Sequence, residues 1–310
     1  MIKTVRDAWQ IPELRRKILF TIFALLIFRL GAAIPVPYIN TSGLETYLSA
    51  QSGTILGLMN AMSGSAFSMA TLFALSIQPY INSSIIIQLL TVAIPALERL
   101  AKEGGEEGRK KIASITRYTT VAIGLIQGFG YYSLINSYGL VETEGLPAVW
   151  VAIVIILSFT AGSAFLMWLG EQITEFGIGN GISVLLFAGI VSRFPHMLRD
   201  MISGIQAYLN PRTEEQLAAM TEVERAAYEN SILAPWMIAV IVVGMLALVV
   251  LIVFISNSER RLPVQYAKRV VGRKMYGGQS THIPIKVNMG GVMPIIFAQS
   301  IAMIPATIGA

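Results

Sequence analysis

The chain has 310 residues, of which 54% are hydrophobic and 13% charged, with a net charge of +5 and no cysteine. This composition is too apolar for an ordinary water-soluble domain of that length, so we predict a membrane protein. The lack of cysteine excludes disulfides, thiolate chemistry and cysteine-ligated metals within these residues.

Uncharged runs long enough to cross a bilayer, about 20 residues each, recur along the chain and predict seven transmembrane spans. They cover residues 18–37 (interrupted by Arg29), 71–97, 118–141, 149–169, 177–192, 233–255 and 289–310. Basic residues precede the first run and no small-residue cleavage site follows it, so we expect this span to be retained rather than cleaved as a signal peptide.

The distribution of Lys and Arg predicts the orientation. Residues 1–17 contain five, residues 98–117 six and residues 259–286 seven, whereas residues 38–69 and 137–148 contain none. Because basic loops stay in the cytoplasm, we place the N terminus there and residues 201–232 outside. The short segment 170–180 has acidic residues only, which is a weak objection because acidic residues count little in this rule.

The second run is too polar to face lipid. Amides and hydroxyls in hydrocarbon cost free energy unless they find partners or water, so this span should line a protein interior or an aqueous path. It predicts the wall of a pore. The interrupting residues are Gln78, Pro79, Asn82, Ser83, Ser84, Gln88 and Thr91.

The segment 54–68 is small-residue-rich and is broken by Gly57 and Gly64. Composition leaves two interpretations open. It is either a short re-entrant helix in a cavity, which a bilayer tolerates only where protein or water surrounds it, or an outer loop on the interface.

The spans lack the groups that catalysis or ion coupling requires. No acidic residue lies inside a span, and His196 and His282 stand at loop ends. No Gly-x-x-x-x-Gly-Lys loop is present for nucleotide phosphates. We therefore expect no enzyme, no metal site and no cofactor, and favour a passive conduit. Arg29 is interpreted as a snorkelling residue near the outer end of its span, with a gating role as the alternative.

The blocks that indicate a family are residues 13–20, 28–31, 34–37, 73–90, 103–112, 177–183, 266–269 and 280–289. Taken in this order, from about residue 13 to residue 310, they resemble the SecY family of bacterial protein-conducting channels. The sequence diverges from the family in length, because the family has ten spans.

The resemblance implies an all-α, polytopic bundle, built in the family as a ten-span clamshell of two inverted halves. Residues 1–200 would form the first half with five spans, and residues 201–232 an external loop. Residues 233–310 would begin the second half, with a basic cytoplasmic loop at 259–288. The last three spans would lie beyond residue 310, so we expect residues 1–310 alone not to translocate a chain.

The resemblance also implies a function: the central channel subunit of the general secretory translocon in the plasma (inner) membrane. Such a channel passes unfolded preproteins across and releases transmembrane segments sideways into lipid, driven by the SecA ATPase or the translating ribosome with its RNA. SecE, SecG, signal peptides, nascent chains and membrane lipids are the other implied partners. A secondary transporter for a small solute is the alternative, and it would show a compact polar site.

Site residues follow only from the resemblance, since periodicity alone would make most of them ordinary core positions. The implied pore ring is Ile81, Ile85, Ile182, Leu186 and Ile296. The implied plug is the segment 54–68, with Leu58, Met59, Asn60, Met62, Gly64 and Phe67. The implied lateral gate has Gln88, Thr91, Gln127 and Gln299 as polar candidates.

The basic loop is the implied docking surface for ribosome and motor. Its net charge of +6, from seven basic residues and Glu259, suits phosphate binding that weakens with salt. Attraction to lipid headgroups is a further reading of the same charge. The candidates are Arg260, Arg261, Lys268, Arg269, Arg273 and Lys274.

Overall fold

The computed structural model describes residues 9–50, 57, 60, 62–143, 145–212, 225, 228, 232, 234–264, 269–271, 274–276, 281–288 and 298. The chain divides into two compact units. The first is Met1–Pro195 with Phe297–Ala310, and the second is His196–Ile296.

The described part of the first unit is helical. Its helices are α1 (Pro12–Gly31), α2 (Thr41–Ala50), α3 (Gln78–Ala93), α4 (Pro95–Lys102), α5 (Gly105–Ser137), α6 (Ala148–Phe176) and α7 (Gly181–Val191). Helix α8 (Phe194–Leu209) begins at the end of this unit, and α9 (Pro235–Asn257) belongs to the second. The predicted fold class, a helical membrane bundle, is confirmed.

Within the described residues, three helical stretches are long and apolar enough to cross a membrane: Ala148–Phe176, Gly181–Leu209 and Pro235–Asn257. A fourth is obtained if α3 and α4, bent by 102° at their junction, count as one span. Helices α1 and α5 overlap the first and third predicted spans. Neither is apolar enough to be counted with the other spans, because α1 contains several basic residues and α5 contains polar residues. The predicted span 289–310 lies almost wholly outside the described residues.

Helix α3 is shorter than the uncharged run predicted. Residues 71–77 form turns, with Ser76 at φ 51°. The backbone there pairs with the segment after α1, through Leu72 N donating to Ile34 O at 2.9 Å. Pro79 suits the first turn of a helix, where its missing N–H costs nothing. Ile94 is extended because Pro95 follows, which ends α3 and starts α4.

An aromatic stack lies at the centre of the first unit's core. The ring of Tyr131 on α5 lies 4.3 Å from Phe67 and 4.9 Å from Phe159 on α6, centroid to centroid. Leu44 of α2 is fully buried in the same cluster. The core thereby joins the segment before α3 to three helices.

Small residues allow the helices to approach closely, as is common in membranes. A Cβ on Gly124 of α5 would lie 3.3 Å from the side chains of Thr160 and Ser163 on α6. Ser83 of α3 donates to the carbonyl of Thr116 on α5 at 2.8 Å. Helices α3, α5 and α6 therefore form one packed group.

The basic segment after α9 contains antiparallel ribbons that the sequence analysis treated as a loop. Strand β1 (Glu259–Val264) pairs with β4 (Thr281–Lys286), and β2 (Arg269–Val271) pairs with β3 (Lys274–Tyr276). The alternation of Ile283 and Ile285 with polar or proline residues is the period-two pattern of a strand. These short strands leave the chain mostly helical.

Candidate functional site

A row of isoleucines follows one face of α3 and the residue before it. Ile77, Ile81 and Ile85 are spaced by four, which aligns them on one helical face, and all three are buried. Gln78 and Asn82 are buried on the neighbouring face. The Oδ1 atom of Asn82 has no hydrogen-bond partner among the described residues. An aliphatic strip is thus bordered by two amides.

Helix α7 brings a second aliphatic group to this strip. A Cβ on Gly170 of α6 would lie 3.3 Å from Ile182 Cγ1 and 3.5 Å from Ile77 Cδ1. Ile182 and Ile77 therefore flank the same glycine, one helical turn from Ile81. Leu186 is half-buried one turn further along α7. The fifth residue of the implied ring, Ile296, lies outside the described residues.

The described part of the segment 54–68 is folded on itself by polar contacts. Asn60 Oδ1 accepts a hydrogen bond from Ser68 N at 3.0 Å, and Asn60 O accepts one from Ser65 N at 3.0 Å. Ser63 Oγ accepts from Phe67 N at 3.0 Å. These contacts hold residues 63–68 in a compact set of turns, whereas residues 57, 60 and 62 are helical. Leu58 and Met59 lie outside the described residues.

This segment contacts three helices of the first unit. Gln78 Nε2 of α3 donates to the sulfur of Met62 at 3.4 Å. Tyr131 of α5 donates its hydroxyl to the Phe67 carbonyl. A Cβ on Gly64 would lie 2.6 Å from the Gly189 carbonyl of α7. Gly64, with φ at 68°, adopts a conformation that glycine favours. Residues 62–68 therefore lie inside the bundle.

In the described structure, no hydrogen bond joins gate candidates on different helices. Gln88 is exposed on α3, and Thr91 Oγ1 donates to the Gln88 carbonyl of its own helix at 2.6 Å. The buried Oε1 atom of Gln127 on α5 has no hydrogen-bond partner among the described residues. Gln299 lies outside them.

The docking candidates are only partly described. Arg260 and Arg261 are exposed on β1, where they stand opposite Ile285 and Pro284 of β4. Arg269 and Lys274 lie at the ends of β2 and β3, and their side chains are not described. Lys268 and Arg273 lie outside the described residues.

The second basic segment, 98–117, combines charges of both signs. Its exposed Lys102 and Glu98 pair at 2.6 Å, and the hydrogen bond and charge of Glu98 raise the pKa of Lys102. Arg117 on α5 forms a paired contact with Glu171 on α6, at 2.9 Å for each of two nitrogen–oxygen contacts. The charge of Arg117 is therefore partly balanced by Glu171 within the fold.

Comparison with known proteins identifies the family. The SecY family model matches residues 71–310. A protein translocase subunit SecY of Buchnera aphidicola (subsp. Acyrthosiphon kondoi) is 44% identical over 304 residues. That of Escherichia coli K12 is 44% identical over 300 residues, and each match covers 96% of this chain. The chain belongs to the SecY family. The resemblance in the sequence is confirmed, and the chain is a multi-pass membrane protein.

The match covers different shares of each relative. The chain spans 77% of the Buchnera protein but 62% of the E. coli protein. A protein translocase subunit SecY of Streptomyces lividans is 40% identical over 319 residues, which cover 99% of this chain and 67% of that protein.

Two solved structures share the fold at 18% sequence identity. One, "The structure of a protein conducting channel", has a TM-score of 0.55 and covers 93% of this chain and 56% of that chain. The other, "Sec61 in the Canine ribosome-channel complex from the endoplasmic reticulum", has a TM-score of 0.54 and covers 93% and 56%.

Three residues at these helix contacts were missed by sequence reasoning. Ile77 continues the Ile81 and Ile85 spacing backwards by one turn, so the four-residue period could have found it. Gly189 and Gly170 act through close approach, which has no signal in a single sequence because glycine is common in membrane helices.

Proposed function

We propose that residues 1–310 belong to the central subunit of a protein-conducting channel, which passes unfolded chains across the membrane and releases apolar segments into it. The observation that carries the proposal is the segment 62–68, lodged inside the bundle, where Met62 accepts a hydrogen bond from Gln78, the residue that follows Ile77 in the chain. A small-solute carrier would instead need a compact polar site.

The strip, with Ile182 and Leu186 of α7 and Ile296, would form the constriction. Aliphatic side chains block ions by excluding water from a narrow passage. They carry no hydrogen-bonding groups, so they can deform around any peptide without selecting a sequence. These properties fit a passage that must be tight at rest and permissive during transport.

The segment 54–68 would be the plug that fills this passage at rest. Its contacts with the helices include a thioether sulfur at Met62, which is a weak hydrogen-bond acceptor. Close glycine packing at Gly64 adds area without strong polar bonds. Contacts of this kind can hold the segment at rest and still break when a translocating chain enters.

A lateral gate would open along α3 and α5 to let apolar segments reach lipid. In the complete protein, polar side chains would form hydrogen bonds across this gate. The candidates are Gln88, Thr91 and Gln127 on those helices, with Gln299. Each such bond contributes about 0.6 to 2 kcal/mol within a membrane, which a signal sequence can displace.

The basic segment 259–288 would dock the driving partner in the cytoplasm. The exposed side chains of Arg260 and Arg261 carry the charge that ribosomal RNA or an acidic face of the SecA motor requires. The candidates Lys268, Arg269, Arg273 and Lys274 add to it. One structural neighbour is described as a ribosome–channel complex, which is consistent with a ribosome partner.

The remaining assignments come from the family and the charge pattern. We place the protein in the plasma (inner) membrane with a cytoplasmic N terminus, together with SecE and SecG. Residues 1–200 form the first half, residues 201–232 an external loop and residues 233–310 the start of the second half. The protein itself would have no enzymatic activity, because the driving energy comes from its partners.

The test uses the full-length protein in vesicles, with SecA, ATP and a signal-bearing precursor, scored by protease-protected uptake. The variant Arg269→Glu with Arg273→Glu should abolish uptake. A control, Lys110→Glu with Lys111→Glu, makes the same charge change in segment 98–117 and should lose much less. Absence of uptake in the unmodified protein would contradict the proposal, and saturable uptake of a small solute would support a carrier.

A further inference from the structure

The turn between α6 and α7 is held by a side chain from α1. Ile178 N donates to Thr21 Oγ1 at 3.1 Å, and the same hydroxyl donates to the Lys17 carbonyl at 2.9 Å. Thr21 thus connects residues 157 positions apart in the chain. Beside it, Phe20 packs edge-on against Phe176, with ring centroids 6.0 Å apart.

Two further side chains satisfy the first amides of α7. Thr174 Oγ1 accepts from Gly181 N at 2.9 Å and donates to the Gly170 carbonyl at 2.9 Å. Asn180 Oδ1 caps the helix by accepting from Ile182 N at 3.0 Å and Ser183 N at 3.2 Å. The amides at a helix start have no partner within the helix, so these bonds fix where α7 begins.

The glycines at the two ends of the turn are closely packed. A Cβ on Gly181 would lie 2.0 Å from the Gly170 carbonyl, and one on Gly177 would lie 2.7 Å from Thr21 Oγ1. Gly179, with φ at 73°, is in the left-handed region, where its lack of a side chain matters. The turn therefore connects the close backbone contact between α6 and α7 to the hydrogen bond between Ile178 and Thr21.

We propose that Thr21 is a positioning residue for the constriction. Its hydroxyl fixes the turn, the turn fixes the start of α7, and the second residue of α7 is Ile182, which lies beside Ile77. Loss of the hydroxyl frees the Ile178 amide and lets α7 shift against α6, which loosens the aliphatic seal at rest. This inference rests on the proposed role of Ile182 in a channel constriction.

The test compares three variants of the full-length protein. Thr21→Val keeps the shape of the side chain but removes the hydroxyl, and Thr21→Ser keeps the hydroxyl. The control is Thr119→Val, because Thr119 is also half-buried and its hydroxyl bonds only Ile115 of its own helix among the described residues. Two quantities are measured in proteoliposomes: resting chloride leak without precursor, and precursor uptake with SecA and ATP.

We expect Thr21→Val to raise the resting leak about fivefold, the population shift that follows from loss of one net hydrogen bond. Thr21→Ser and Thr119→Val should stay as tight as the unmodified protein. Hydrogen exchange of the Ile178 amide, compared at equal amounts of inserted protein, should be faster in Thr21→Val than in Thr21→Ser. Hydrogen exchange reports the hydrogen bond between Ile178 and Thr21 directly, even if Thr21→Val assembles poorly.

An unchanged leak and unchanged exchange in Thr21→Val, with normal uptake, would overturn the inference and leave the channel proposal standing. An equal rise in leak in Thr21→Val and Thr21→Ser would overturn it as well, because retention of the hydroxyl would then not protect the seal. If the unmodified protein fails to take up precursor, the proposed function fails instead.

Discussion

The two units of the chain use their residues in opposite ways. In the first, the segment 62–68 and α3, α5 and α6 pack through glycines and hydroxyls, and buried polar groups mostly find partners. In the second, α9 buries no residue and the side chains of β1 face outward. The first unit therefore holds an internal structure, whereas the second has an exposed apolar helix and an exposed basic strand. Substitutions in the first should change stability and leak, and substitutions in the second should change binding.

Glycine substitutions test this contrast most strongly. A Cβ on Gly162 of α6 would lie 1.9 Å from the Leu72 carbonyl, whereas a Cβ on Gly244 of α9 meets nothing within 4 Å. We expect Gly162→Ala to destabilise the protein by about 3 kcal/mol, since backbone cannot move aside cheaply. Gly244→Ala should be neutral or slightly stabilising. Thermal unfolding in detergent measures the stability change of both variants. Equal destabilisation by the two substitutions would contradict the difference drawn between the units.

Tyr131→Phe sharpens the comparison within the first unit. The substitution keeps the stacked ring but removes the hydroxyl that donates to the Phe67 carbonyl, which still accepts a hydrogen bond from Ala70 N at 3.1 Å. We expect a loss of about 0.5 to 1.5 kcal/mol, the net contribution of one hydrogen bond. Tyr118→Phe is the control, because Tyr118 is exposed. Protease access to the segment 54–68 should rise in Tyr131→Phe alone, and identical access in both variants would contradict the role given to Tyr131.

The second unit should respond in binding rather than in stability. Arg260→Ala with Arg261→Ala removes two exposed charges from β1. We expect the slope of log affinity for ribosomes against log salt to fall by roughly one for each RNA phosphate that an arginine no longer neutralises. Unfolding temperature should stay unchanged. A binding curve with the same salt slope as the unmodified protein would show that these arginines do not contact RNA.

The smallest effect is expected at the exposed edge of the first unit. Arg117 and Glu171 join α5 to α6, but more than half of the Arg117 side chain is accessible. The coupling energy from a double-mutant cycle with Arg117→Gln and Glu171→Gln should be below about 1 kcal/mol. A coupling of several kcal/mol would mean that polar contacts at the edge hold the helices as strongly as the packed centre does.

Hydropathy predicted the membrane class, because it is a local property of the sequence, whereas the aliphatic residues of α3 were singled out only by the family resemblance. Hydropathy placed the start of the second span seven residues too early, because turns with left-handed residues such as Ser76 leave no mark on it. The contacts of Gly170 with Ile77 and Ile182 bring together residues distant in sequence, and a single chain carries no record of them. The ribbon after α9 was overlooked because its charge dominated the interpretation, although the alternation at Ile283 and Ile285 was visible.

The central claim is that a translocating chain passes the strip formed by α3 and α7. The 310 residues contain no cysteine, so single cysteines can be introduced cleanly into them. In the full-length protein, a precursor arrested in transit and carrying one cysteine should form disulfides with Ile81→Cys and Ile182→Cys. It should not react with Val92→Cys, which is 81% exposed on the same helix as Ile81. Disulfides at Val92→Cys with none at Ile81→Cys or Ile182→Cys would place the path elsewhere and contradict the account.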